Sequence, residues 1–102
     1  MQDTKILNKD EILEKLKEIS GWKYASDKIS KTFIFSSFKN AVAMVNDLQP
    51  FCDEIDHHPD IHIYYKKITF DLQRHDIGEK VTERDFTVAK EIEKIYNYKY
   101  KV

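Results

Sequence analysis

Two short alternating runs constrain this chain most. Ile61, Ile63 and Tyr65 form the first, Ile68, Phe70 and Leu72 the second, and Lys66 and Lys67 separate them. Period-two alternation of β-branched and aromatic residues is a strand pattern, and two such runs around a two-residue gap make an antiparallel hairpin. Turning at Lys66-Lys67 opposes Tyr65 to Ile68, Ile63 to Phe70 and Ile61 to Leu72, so one face is wholly apolar. The lysines fit this turn poorly, because tight hairpins prefer Asn or Gly. A hairpin with one apolar face is marginal alone and needs more strands or helices to cover it.

The rest of the chain supplies them. Asn8 and Glu11 form a capping box ahead of Ile12, Leu13, Leu16 and Ile19, a helical stripe that Gly21 ends. Trp22–Tyr24 and Lys28–Phe35 read as two strands joined by a turn at Ser26 and Asp27, with Ile29, Phe33 and Phe35 facing one way. Ser36 or Ser37 caps a second helix whose stripe is Phe38, Ala41, Val42, Val45, Leu48, Cys52 and Ile55. Pro50 should kink or split that helix, and Pro59 should end it near Asp56 or His57. Thr82 and Asp85 open a last helix with Phe86, Ala89, Ile92 and Ile95 inward. The expected class is α+β, in the order α-β-β-α-β-β-α, with a four-stranded antiparallel sheet and helices packed on one face.

Size and charge narrow the function classes. The 102 residues fit one domain over 1–102 with a modest core, which favours a shallow site or one shared between subunits. Seventeen basic and eighteen acidic residues nearly cancel, so no broad footprint for nucleic acid or an anionic membrane is expected. Cys52 is the lone cysteine, which excludes an internal disulfide. Met1 to Asn8 lacks the apolar run of a signal peptide, and no segment is apolar enough to span a bilayer. A cytoplasmic protein is the expectation.

The hairpin also carries chemistry. Continued outward in the same register, the pairing sets His58 opposite His75, and His57 arrives beside them at the end of the second helix. Asp53 lies one helical turn before His57, and Asp56 and Asp76 adjoin the histidines. Three imidazoles with carboxylate neighbours can donate and accept protons at neutral pH, as removal of water requires. His62 differs: it sits on the polar face across from Asp71 and reads as a surface ion pair. Cys52 falls on an apolar stripe and reads as a buried structural thiol. Tyr96, Tyr98 and Tyr100 read as packing or a subunit contact.

Asp56-His57-His58-Pro59, the strand after it, and then His75-Asp76 resemble the motif of the pterin-4a-carbinolamine dehydratases. Thr82-Glu83-Arg84-Asp85-Phe86, Gly21-Trp22, and Phe38 with Ala41 are similar to other segments of that family, so the likeness runs from about Leu16 to Ile95. The resemblance implies the fold just described. It also implies dehydration of 4a-hydroxytetrahydropterin to quinonoid dihydropterin, in recycling of a pterin cofactor such as tetrahydrobiopterin. Its implied catalytic residues are His57, His58 and His75, with His57 and His75 moving protons and His58 holding substrate. Its implied pterin-binding residues add Asp56, Arg74 and Asp76. No metal and no cofactor are implied, and a homodimer or homotetramer is. The chain departs from the family in a longer Asp76–Val81 loop, in Pro50 within an association helix, and in Ile61 where animal members have an aromatic residue.

Two rivals stand beside this reading. Mammalian members of the family also act as dimerisation cofactors of a transcription factor, so a non-catalytic binding module is one. A zinc hydrolase using His57, His58 and His75 is the other, although adjacent histidines rarely point at one metal.

Overall fold

The computed structural model describes residues 5–74 and 80–102. Its strands β1 (Lys23–Ala25), β2 (Lys28–Ile34), β3 (Asp60–Tyr64) and β4 (Lys67–Leu72) form one antiparallel sheet in the order β1-β2-β4-β3. Helices α1 (Lys9–Leu16), α2 (Phe38–Ile55) and α3 (Glu83–Ile95) complete the expected order, and a π-helical turn, Tyr96–Tyr100, follows α3. Ile29, Phe33, Ile68, Phe70 and Leu72 point from the sheet into a core closed by Met44 and Leu48 of α2 and by Phe86 and Ile92 of α3. The opposite sheet face carries Lys28, Ser30, Thr32, Thr69 and Asp71. Alternation along each strand produces this split.

The β1–β2 turn is as expected, with Ser26 and Asp27 both left-handed at φ 55° and 61°. Two successive residues of this kind match the twist of the strands they join. The β3–β4 hairpin differs from the expectation. Ile61 faces Phe70, Ile63 faces Ile68 and Tyr64 faces Lys67, so the turn residues are Tyr65 and Lys66. The ladder is displaced by two residues from the one predicted. A shift of two leaves every side chain on its original face, so the apolar alternation is blind to it. The third strand decides. Lys67 pairs with Ile34 of β2 as well as with Tyr64, and the Phe35 amide donates to the Lys66 carbonyl at 2.7 Å. Lys67 is thereby a strand residue, and Tyr65 turns at φ 55° with its ring exposed.

The Asn8–Glu11 capping box forms as predicted, with Glu11 N–H donating to Asn8 Oδ1 at 2.9 Å and Asn8 N–H to Glu11 Oε1 at 3.0 Å. Regular helix ends at Leu16 and loosens into turns before Gly21, while Leu13 of the expected stripe is exposed. Ser37 caps α2, accepting from Asn40 N–H at 3.0 Å. Pro50 does not split α2, which is one helix through Ile55. Proline strands the carbonyl four residues earlier, here Asn46, and both residues are exposed where water can meet it. Of the C-terminal tyrosines, Tyr96 stacks edge-on against Phe33 and Phe35 and donates to the Ile34 carbonyl at 2.7 Å, and Tyr100 tilts against Phe35, whereas Tyr98 is exposed and does not pack. Among the described residues no helix is long and apolar enough to cross a membrane.

Candidate active site

The site begins where α2 ends. Asp56 is left-handed, at φ 53° and ψ 49°, and the His57 amide donates back to the Cys52 carbonyl at 3.1 Å. Helices commonly stop in this way, and aspartate tolerates the conformation better than most side chains. The reversal gives the two adjacent histidines opposite surroundings. His57 is 5% exposed, whereas the His58 side chain is 53% exposed.

His57 Nε2 pairs with Oδ1 of Asp85, a wholly buried residue of the first turn of α3. The other oxygen, Oδ2, accepts the Thr82 amide at 2.8 Å. Arg84, one residue earlier, donates from Nη1 to the Ile55 carbonyl at 2.9 Å, so it meets one of the carbonyls left open at the end of α2. These contacts hold the end of α2 against the start of α3.

His58 turns to another carboxylate. Its Nε2 lies 2.8 Å from Asp53 Oδ1, and Gln49 donates to Asp53 Oδ2. The hydrogen bond from His58, helped by that from Gln49, holds the Asp53 carboxyl below its usual pKa. His58 also stands at a cleft of about 180 Å³ floored by Val45, Leu48, Cys52, Pro59 and Ile61. Burial pushes the Cys52 thiol up to about 11, which suits the structural role expected of it rather than a nucleophilic one.

The predicted convergence is therefore only partly visible. His75 and Asp76 lie outside the described residues, as does most of the Asp76–Val81 loop. The inference that His58 faces His75 rested on the predicted register and falls with it: the observed ladder, continued outward, sets His58 opposite Gln73. Arg74, which precedes His75, and Lys80 exchange backbone hydrogen bonds of 2.8 and 3.2 Å. Asp56 is exposed at the pivot between α2 and the histidines. His62 is elsewhere, 3.0 Å from Asp71 Oδ2 on the helix-free face, the partner expected of it, though met diagonally across the strands.

Asp85 is what the sequence pattern undersold. Thr-x-x-Asp reads as a helix opener, yet capping occupies one carboxylate oxygen and leaves the other for a partner. Asp53 was visible as a neighbouring carboxylate, but its partner is His58, not His57.

The sequence profile of the family described as Pterin 4 alpha carbinolamine dehydratase matches residues 5–95. The chain belongs to this family. It is 46% identical over 89 residues to a provisionally named pterin-4-alpha-carbinolamine dehydratase of Sulfolobus acidocaldarius, covering 87% of this chain and 97% of that one. A protein of the same provisional name from Sulfurisphaera tokodaii is 42% identical over 91 residues, 89% and 97% of the two chains. The crystal structure of a transcriptional coactivator/pterin dehydratase from Brucella melitensis superposes with a TM-score of 0.84 at 26% identity, over 89% of this chain and 98% of that one. A pterin dehydratase-like protein identified as a RuBisCO assembly factor in the alpha-carboxysome shares the fold, with a TM-score of 0.61 at 19% identity over 76% and 90% of the two chains.

Proposed function

We propose that this protein dehydrates a 4a-hydroxytetrahydropterin to the quinonoid dihydropterin and water. The supporting observation is the pair of imidazoles at the end of α2, each held by its own carboxylate, one buried and one on an apolar cleft. In the reaction an acid protonates the 4a-hydroxyl, which leaves as water. A base takes the N5 proton, and the freed electron pair becomes the C4a=N5 double bond. General acid and base groups are all that this elimination requires.

In this reading His57 and His75 handle the protons, and His58, oriented by Asp53, holds the substrate. Asp56, Arg74 and Asp76 line the pterin site. The small molecule is the partner, and the chain works as a homodimer or homotetramer. A mass in solution equal to the 12.2 kDa protomer at micromolar concentration would remove the oligomer from the proposal.

The test is turnover of enzymatically generated carbinolamine with EDTA present. Replacing His57 by Ala should slow kcat by up to roughly 10²–10⁴-fold. His58→Ala should act mainly on KM. Wild-type protein that leaves the carbinolamine to its spontaneous rate would refute the proposal. That result would favour the second reading, a non-catalytic coactivator or dimerisation module, to which the name of the Brucella neighbour lends support.

A further inference from the structure

We infer that Asp85 is a positioning residue that fixes the tautomer of His57, so that all proton exchange between His57 and a substrate runs through Nδ1. The inference rests on the dehydratase reading for the word substrate, and on geometry alone for the tautomer.

An ionised carboxylate only accepts hydrogen bonds. Asp85 is completely buried, and both its oxygens are engaged, Oδ2 by the Thr82 amide at 2.8 Å and Oδ1 by His57 Nε2. A backbone N–H can only donate, so the carboxylate cannot turn away from Thr82 without stranding that group. The third residue of α3 also sits at the positive end of the helix dipole, where a carboxylate is a favourable neighbour. With Asp85 ionised, Nε2 carries a proton, donated to Oδ1. In the neutral ring the lone pair then belongs to Nδ1, which has no hydrogen-bond partner among the described residues. Nε2 is occupied in the charged ring as well, so Nδ1 is the nitrogen that gains and loses the transferable proton. The start of α3, a structural cap by sequence, thereby sets the chemistry at the end of α2.

Replacing Asp85 with Asn makes this sharp. The Thr82 amide still needs an acceptor and would take the amide oxygen, turning the –NH₂ group toward His57. That group donates, so Nε2 would have to offer a lone pair, and the neutral ring would invert to the Nδ1–H form. Nitrogen NMR of the imidazole reads the tautomer directly. The wild-type neutral His57 should show a protonated Nε2 and an unprotonated Nδ1. Asp85→Asn should exchange the two signatures and lower kcat by roughly 10²–10⁴-fold, the share of one general acid–base group, with KM changed much less. Asp85→Glu keeps a carboxylate and should restore the Nε2–H signature and part of kcat.

A merely structural Asp85 predicts that both variants lose stability while tautomer and kcat stay as in wild type, and that result overturns the inference. Should the variants fail to fold, the wild-type spectrum still decides, because a neutral wild-type ring protonated at Nδ1 refutes the inference outright. Wild-type protein with the Nε2–H ring but no pterin turnover would sink the dehydratase reading and leave the tautomer assignment supported.

Discussion

Asp71 is the clearest place to test how the sheet is held. It lies on the helix-free face yet is only 8% exposed, because Ser30 Oγ, Lys28 Nζ and His62 Nε2 surround it at 2.6, 3.2 and 3.0 Å. It thus ties β2 and β3 to the strand between them. Burial alone would raise its pKa, but the hydrogen bonds from Ser30, Lys28 and His62 outweigh that and hold it below the usual carboxylate value. Asp71→Asn removes the charge and keeps the shape. The Ser30 bond survives on the amide oxygen, so the loss falls on Lys28 and His62, whose side chains are 37% and 45% exposed. Pairs this exposed are worth roughly 0.2–1 kcal/mol each, giving a total of about 0.4–2 kcal/mol at neutral pH. A depressed folded-state pKa contributes stability that is complete above the unfolded value, roughly 3.9, and is lost as pH falls through the folded one. Urea unfolding of both proteins should therefore show a gap at neutral pH that closes in acid, where protonated Asp71 and the amide are nearly equivalent. A gap that persists undiminished in acid, or none at neutral pH, would refute the electrostatic account.

Phe35→Ala should cost about 3–5 kcal/mol in urea unfolding, because the buried ring is contacted by Tyr96 and Tyr100 and its loss leaves a cavity between them. Gly21→Ala should destabilise by at least about 0.4–1 kcal/mol: the residue stands at φ 87°, and an added Cβ would come within 3.0 Å of Lys31 Cε. His62→Ala should leave carbinolamine turnover unchanged while lowering stability by less than about 1 kcal/mol, since its partner is Asp71 on the far side of the sheet. Activity lost there as fully as in His57→Ala would show that the site has been placed wrongly.

The fold was legible wherever a periodicity decides the answer. Alternation in Ile68–Leu72 determines which side chains face the core, and the helical stripes locate α2 and α3; in the edge strand β3 the same pattern leaves Ile61 half-buried and Ile63 and Tyr65 exposed. The strand register was not legible, because displacements by two residues preserve every face. A turn-forming pair would have pinned it, but Tyr65 and Lys66 carry no such signal, and the choice falls to Lys67 bonding between β2 and β3. Pro50 does not split α2: the carbonyl that its missing donor strands, that of Asn46, belongs to an exposed residue.

The site shows the same division between local and distant information. The double histidine with its proline is a local motif and was read correctly as the end of a helix. The partners of the two rings depend on one backbone conformation and one tertiary contact. A left-handed Asp56 curls the chain back so that His58 meets Asp53, five residues earlier, while His57 enters the interior and meets Asp85, twenty-eight residues later. Neither pairing follows from helical spacing, which would have offered Asp53 to His57. Two adjacent imidazoles thereby acquire different environments, one buried against Asp85 and one on the cleft beside Asp53. In the proposed dehydratase that difference would separate a proton-transfer group from a substrate-holding one, and it arises from the single reversal at Asp56.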